Sequence, residues 1–264
     1  MYRIGVVSFL NSRPLVAGLA ARADLTLVPA VPADLPGLLD RGVVDASLVP
    51  TVDILRHPGA YSVISDACIG CDGETMTVRV FSDVPPAQVR TLAVDGDSHT
   101  SVVLATLLWR QRWNRRLELR PLAERAATDA TLLIGDKVVA PDRRPAAYEI
   151  DLGGAWHELT GLPFVFAVWA ARAARVAELA PLGAVLSAAR DTGVADVARI
   201  AREAGPQHGW PVPLAERYLG EYLRFRLTPR QRAGADHFAE LCRAAELVPP
   251  TAAIPWATEV VGAG

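Results

Sequence analysis

The chain has 264 residues, with 27 Lys and Arg against 29 Asp and Glu, a formal net charge of -2, and 51% hydrophobic residues. At roughly 100–200 residues per domain this makes one large domain or two modest ones, long enough to bury a core without disulfide or metal staples. The near-neutral charge, with no basic tail or stripe, argues against a nucleic-acid binder, and the apolar fraction excludes disorder.

In chain order, Tyr2–Phe9 is β-branched and aromatic and reads as a buried strand. Asn11-Ser12-Arg13-Pro14 offers an N-cap and an early proline, so a helix is predicted to run to about Ala21. Leu25–Val28 is a second strand, Ala33–Arg41 a helix that stops at Gly42, and Val44–Val49 a third strand ending at Pro50-Thr51. Strands alternating with helices in short units point to a parallel, doubly wound sheet. Extended segments follow at Tyr61–Ile64 and Met76–Phe81, and Pro85-Pro86 then breaks the chain.

The pattern restarts with a strand at Thr91–Val94, a polar turn at Asp95–Thr100, a helix at Ser101–Trp113 and a strand at Thr131–Ile134 that ends at Gly135-Asp136. Pro163–Trp169 is a strongly apolar extended run. Beyond Ala170, helices are predicted near 171–190, 193–204, 212–225 and 228–245, with a Pro/Ala/Gly-rich tail from Pro249 draped over the surface. The break near Val84–Pro86 and the return near Phe164–Ala170 divide the chain into lobe one, residues 1–83 plus 167–264, and lobe two, residues 84–166. The Leu/Ala stripes of the C-terminal helices either complete lobe one or form a homodimer contact.

Met1-Tyr2-Arg3 runs straight into Ile4–Leu10 without the basic and apolar regions of a secretory signal, and no apolar stretch approaches the roughly 18 residues of a membrane span. The expectation is a cytoplasmic protein with no membrane partner. Cys68, Cys71 and Cys242 are too few for a disulfide framework, and one C-x-x-C without a second pair makes a poor metal site. The phosphate-loop, dinucleotide and G-x-S-x-G motifs are missing.

Ligands of open α/β sheets lie outside the carboxyl ends of the strands, which makes the polar strand-end loops the informative places. Ser8-Phe9-Leu10-Asn11-Ser12 ends the first strand and opens a helix, whose free N–H groups suit a carboxylate; ordinary N-capping competes with that role. Asp95-Gly96-Asp97-Ser98-His99-Thr100-Ser101 carries more polar side chains than one cap needs and suits a second anionic group. Gly70–Thr77 holds two glycines that permit close approach to a ligand. Lys137, the only lysine in the chain, either faces the cleft or stands alone on the surface.

These loops resemble those of the chorismate dehydratases, the family that opens the futalosine route to menaquinone. The likeness runs through Val7–Leu15, Asp45–Thr51, Cys68–Gly70, Asp95–Ser101, Leu133–Asp136, and Asp151–Gly153 with Trp156. Its most specific block is Thr160–Ala167 followed by Trp169. The ordered set covers most of residues 4–170. It implies an α/β, two-lobed periplasmic-binding-protein type II-like fold with a ligand cleft between lobes. The implied reaction is that of a hydro-lyase, which removes water from chorismate to give 3-(1-carboxyvinyloxy)benzoate with no metal or organic cofactor.

On that resemblance the enolpyruvyl carboxylate of the substrate serves as the internal base, because it hangs beside C3, and the enzyme supplies position and electrostatics. Asn11 and Thr77 are then the catalytic candidates, while Ser8, Thr51, Ser98, His99, Thr100, Ser101 and Asp136 are expected to bind substrate. His99 stands where the family often has Arg, Thr77 where it often has Ser, and Lys137-Val138 where a small residue and Leu are common. Three alternatives share the fold: a solute-binding protein, a regulator's sensing domain, and the sibling enzyme acting on cyclic dehypoxanthine futalosine.

Overall fold

The computed structural model describes residues 1–140 and 145–256. The apolar run near the N-terminus forms β1 (Tyr2–Val7), buried from Ile4 onward, with parallel β2 (Leu25–Ala30) on one side and parallel β3 (Ala46–Pro50) on the other. The short helix α1 (Leu35–Asp40) connects β2 to β3, and α2 (Thr51–Arg56) follows β3. Next comes β4 (Tyr61–Cys71), 11 residues long and nearly three times its predicted span. It contains Cys68 and Cys71, whose thiols burial pushes far above their ordinary pKa, so both are apolar packing groups.

The chain then crosses to a second sheet. Its strands are β5 (Val78–Ser82), β6 (Thr91–Val94), β7 (Glu118–Pro121), β8 (Ala130–Ile134) and β9 (Tyr148–Asp151), in the order β7-β6-β8-β5-β9. Helix α3 (His99–Trp113) follows β6, and α4 (Leu152–Thr160) follows β9. The return strand β10 (Phe164–Arg172) re-enters the first sheet between β3 and β4, antiparallel to both. Helices α5 (Val176–Ala195), α6 (Val197–Ala204) and α7 (Val212–Arg217) come next, then a π-helical turn at Tyr218–Tyr222. Strand β11 (Leu223–Arg226) and helix α8 (Pro229–Ala244) complete the order β11-β4-β10-β3-β1-β2.

The double crossover is therefore present, with two corrections. Strand β5, placed in lobe one by the sequence reading, pairs with β8 and β9 in the second sheet, and Phe164–Phe166, placed in lobe two, belong to the first. The crossings are residues 72–77 and 161–163, where the apolar runs stop; the later Pro85-Pro86 break only separates two strands of one sheet. The sheets are also mixed rather than parallel, since each receives strands from a returning chain.

Local differences have local causes. Leu10–Val16 is a 3-10 segment with Phe9 at its cap position, not an α-helix to Ala21. Pro14 lies five residues in, where it denies the ladder an N–H. Leu223–Arg226 is a strand because Leu223 and Phe225 are buried while Arg224 and Arg226 are exposed, a period of two. The unpredicted β7 and β9 are largely exposed edge strands without an apolar stripe. Pro249–Trp256 is pinned rather than draped: Val63 N–H donates to the Pro255 carbonyl at 3.1 Å, and Ala252 and Ile254 are buried. The rest of that tail, 257–264, lies outside the described residues.

The C-terminal helices complete lobe one. Helix α5 lies on β4 and on the Leu10–Val16 segment, and a Cβ at Gly193 would stand 2.0 Å from the Pro14 carbonyl oxygen, so only glycine permits that approach. Helix α8 packs on β10, where Phe238, Phe164 and Trp156 meet edge to face. Trp156 also donates its indole N–H to the Pro163 carbonyl at 3.1 Å, which ties α4 to the second crossing. Among the described residues no helix is long and apolar enough to cross a membrane.

Candidate active site

Between the lobes lies a cavity of about 50 Å³. Lobe one supplies Val7 at the end of β1, Phe9 and Asn11 just beyond it and Phe166 from β10, and the first crossing supplies Thr75 and Thr77. Lobe two adds Ser98 and Ser101 from the start of α3 and Ile134-Gly135 from the end of β8; Tyr218 enters from the C-terminal region. Gly135 has φ +58°, and a Cβ there would press on the Phe9 ring at 2.9 Å, so the two lobes touch at a glycine. Ligand pockets usually run to several hundred Å³, so the cleft is shut here. A larger hollow of about 520 Å³ is lined by Phe81, Leu122, Asp129 and their neighbours, and its described lining residues all come from lobe two.

Two short chains of hydroxyl groups point at the cavity. In the first, Thr77 Oγ1 lies 2.7 Å from Tyr218 Oη, and the Asn11 amide is within hydrogen-bonding reach of the same phenol. Asn11 Oδ1 is buried without a hydrogen-bond partner. Burial pushes the Tyr218 phenol well above its ordinary pKa, against the hydrogen bonds with Thr77 and Asn11 that draw it down, so it keeps its proton. In the second, Ser98 caps α3 by accepting the Ser101 N–H at 3.3 Å, and its hydroxyl donates to Ser101 Oγ at 2.8 Å. That leaves the Ser101 hydrogen for the cavity, beside the positive end of a 15-residue helix.

Of the nine residues singled out from sequence, these walls bring together Asn11, Thr77, Ser98 and Ser101. The other five lie outside the cavity wall. Ser8 donates its backbone N–H to the Ala30 carbonyl at 3.0 Å. Thr51 is fully buried and donates its hydroxyl to the Val165 carbonyl at 2.8 Å. Thr100 Oγ1 accepts the Val52 N–H of lobe one at 3.2 Å, and His99 Nδ1 meets the Asp53 carboxylate of lobe one at 2.8 Å. The surplus polarity of the Asp95–Ser101 loop is thus largely spent on holding the lobes together.

Asp136 does the same from the end of β8. Its Oδ1 accepts the Trp210 indole N–H at 2.8 Å and the Leu10 N–H at 3.4 Å, while Oδ2 meets His208 Nδ1 at 2.8 Å. Arg13 lies 3.0 Å from His208 Nε2, so the imidazole links Arg13 to Asp136. Next in sequence, Lys137 bridges Asp95 and Asp97, each at 2.6 Å, and so fixes the turn before α3.

A family model described as menaquinone biosynthesis matches residues 2–244. The chain belongs to the menaquinone-biosynthesis family. It is 30% identical to a chorismate dehydratase of Thermus thermophilus over 90% of this chain and 94% of that one. A second chorismate dehydratase, from Campylobacter jejuni, is 27% identical over 90% and 92%. Among solved structures, the alkanesulfonate-binding protein of Xanthomonas axonopodis pv. citri bound to MOPS superposes with a TM-score of 0.69 at 13% identity, covering 95% of each chain. The periplasmic aliphatic sulphonate binding protein of Escherichia coli gives 0.63 at 14%, covering 95% and 94%. These bear out the expected α/β binding-protein fold.

For this member of the menaquinone-biosynthesis family, the departure at His99 falls on a residue that faces Asp53 rather than the cavity. Sequence reasoning missed Tyr218, Trp210 and His208. Tyr218 stands in a predicted helix and His208 and Trp210 in the link before it, and nothing in their local spacing signals that they reach the cleft.

Proposed function

We propose that the protein is a chorismate dehydratase, a hydro-lyase of menaquinone biosynthesis that converts chorismate to 3-(1-carboxyvinyloxy)benzoate. One observation carries this reading. The described residues that line the cavity offer an amide and several hydroxyls but no carboxylate, imidazole or amine. A dehydration catalysed there needs its base from the substrate, and chorismate has one: the enolpyruvyl carboxylate beside C3. The names of the Thermus and Campylobacter relatives point to the same substrate.

In the proposed step the enolpyruvyl carboxylate takes the C3 proton, the electron pair forms the new ring double bond, and the C4–O bond breaks. The departing hydroxide takes that proton from the enolpyruvyl carboxyl and leaves as water, which restores the carboxylate, and the ring becomes aromatic. Asn11 and Thr77 hold the reacting carboxylate and the leaving oxygen, while Ser101 and the start of α3 hold the ring carboxylate. Asp136, Thr100 and His99 close the lobes over the substrate, and Thr51 braces β10. The cavity as it stands is too small for chorismate, so the lobes part to admit it and to release product. A cytoplasmic location belongs to the same proposal.

Incubation with chorismate, followed by loss of the diene absorbance and the product mass, tests the reading. Loss of one water is the expected outcome. Tight binding without turnover would make the protein a binding or sensor protein instead.

A further inference from the structure

Three polar side chains from three parts of the chain meet at one buried phenol: Asn11 after β1, Thr77 in the first crossing, and Tyr218 in the π-helical turn. Hydroxyls can donate or accept, so the direction of this small network decides what the cavity offers a ligand. Tyr218 carries a single hydrogen, which it keeps, and Thr77 Oγ1 lies 2.7 Å away. If Asn11 donates an amide N–H to Tyr218 and Tyr218 donates to Thr77, both contacts are used and the Thr77 hydrogen remains for the cavity. Thr77 thus offers a donor, while Asn11 Oδ1 is buried beside it without a partner.

The Tyr218 ring is itself held. It stacks on Trp210 with centroids 4.7 Å apart and 13° between planes. The Trp210 N–H is bound to Asp136 of lobe two, so the platform under the phenol is anchored only while the lobes are together.

We infer that Tyr218 is a positioning residue: anchored through Trp210 on Asp136, its hydroxyl fixes the Asn11 amide and the Thr77 hydroxyl so that the Thr77 donor faces the substrate. Without the phenol oxygen the Thr77 hydroxyl turns freely and the Asn11 amide loses the acceptor that sets which way round it lies. Transition-state alignment then suffers more than ground-state binding. This inference rests on the dehydratase reading given above.

The test is steady-state turnover of chorismate by the wild type, Tyr218→Phe, Thr77→Val and the double variant, with circular dichroism and melting temperature on each. Tyr218→Phe keeps the ring on Trp210 and removes one oxygen. Its kcat is expected to fall about 10- to 100-fold, as for loss of a buried hydrogen bond of ~1–3 kcal/mol, with KM changed less than about threefold. Adding Thr77→Val to Tyr218→Phe should cost less than about threefold more, because both act on one group.

Asp136→Asn gives a second reading should the phenylalanine variant not fold: kcat falls about 3- to 10-fold while KM holds. A Tyr218→Phe enzyme with wild-type kcat, or fully multiplicative losses in the double variant, overturns the inference. So does Asp136→Asn raising KM alone, the mark of a direct substrate contact. A wild-type protein inert toward chorismate overturns the dehydratase reading, and this inference with it.

Discussion

The cavity is flanked by two chain segments that looked alike in sequence and differ in the fold. Both the loop after β1 and the loop before α3 end a strand, carry Ser or Asn, and open a helical run, the pattern of an anion site. Only the second opens an α-helix. Ser98 caps a 15-residue α-helix whose first-turn N–H groups point out of its end. The first opens a seven-residue 3-10 segment without a side-chain cap, and Asp136 occupies its Leu10 N–H. What this segment contributes is one side chain, Asn11, on a turn clamped between Asp136 and α5. One side of the cleft thus offers a field of aligned amides and the other a fixed amide group. A proton transfer needs the second kind of precision, and holding a carboxylate needs the first.

Removing Asn11 attacks the first segment and has the largest expected effect. Asn11→Ala should lower turnover by at least about 10³-fold, at the upper end for loss of one oriented hydrogen-bonding group, with an unchanged melting temperature. A fully active variant would put both segments in the binding role. On the other side, Ser101→Ala should raise KM about tenfold and leave kcat within about threefold, the value of one hydrogen bond to a charged group. A fall in kcat alone would erase the division of labour between the two sides. Ser98→Ala should bind only slightly worse but lose about 1 kcal/mol of stability in denaturant unfolding, the usual worth of an N-cap.

Lys137→Met loosens the turn before α3 and should act more weakly still. Burial alone would lower the Lys137 ammonium pKa, but its bonds to Asp95 and Asp97 outweigh that and raise it. The folded state therefore holds this proton more tightly than the unfolded one. The stabilisation is complete below the ordinary lysine pKa of about 10.4 and fades as pH rises through the folded value. The stability gap between wild type and Lys137→Met should be level from pH 7 to 9 and shrink only in stronger alkali, as read from chemical unfolding at each pH. Last, His99→Arg should leave both KM and kcat within about twofold, since that side chain faces Asp53.

Much of this arrangement was legible in the sequence where local pattern and final contacts coincide. The buried strands through Ile4–Val7 and Phe164–Trp169 announce themselves by continuous apolar side chains, and Asn11, Thr77, Ser98 and Ser101 sit in polar strand-end loops. The lobe boundary was not legible, because Val78–Ser82 is equally apolar whichever sheet receives it. Nor were the contacts of Asp136, Thr100 and His99, for a carboxylate or hydroxyl at a loop gives no sign of whether it will meet a ligand or the opposite lobe. Tyr218 was hidden for a stronger reason. Its partners Thr77 and Asn11 are 141 residues or more away, and only the tertiary fold brings them within reach.

The single lysine gives this protein an unusual property in the hands of an experimenter. A lysine-specific endoprotease has one possible cut, after Lys137, which would split the chain into 1–137 and 138–264. That bond lies in the segment where Gly135 meets Phe9, Asp136 clasps the opposite lobe, and Lys137 itself is bound by two carboxylates. A protease needs the strand ends loose and the side chain extended, which the shut cleft denies it. The rate at which one band becomes two on a gel is therefore a clock for opening. It needs no label, and chorismate should slow it.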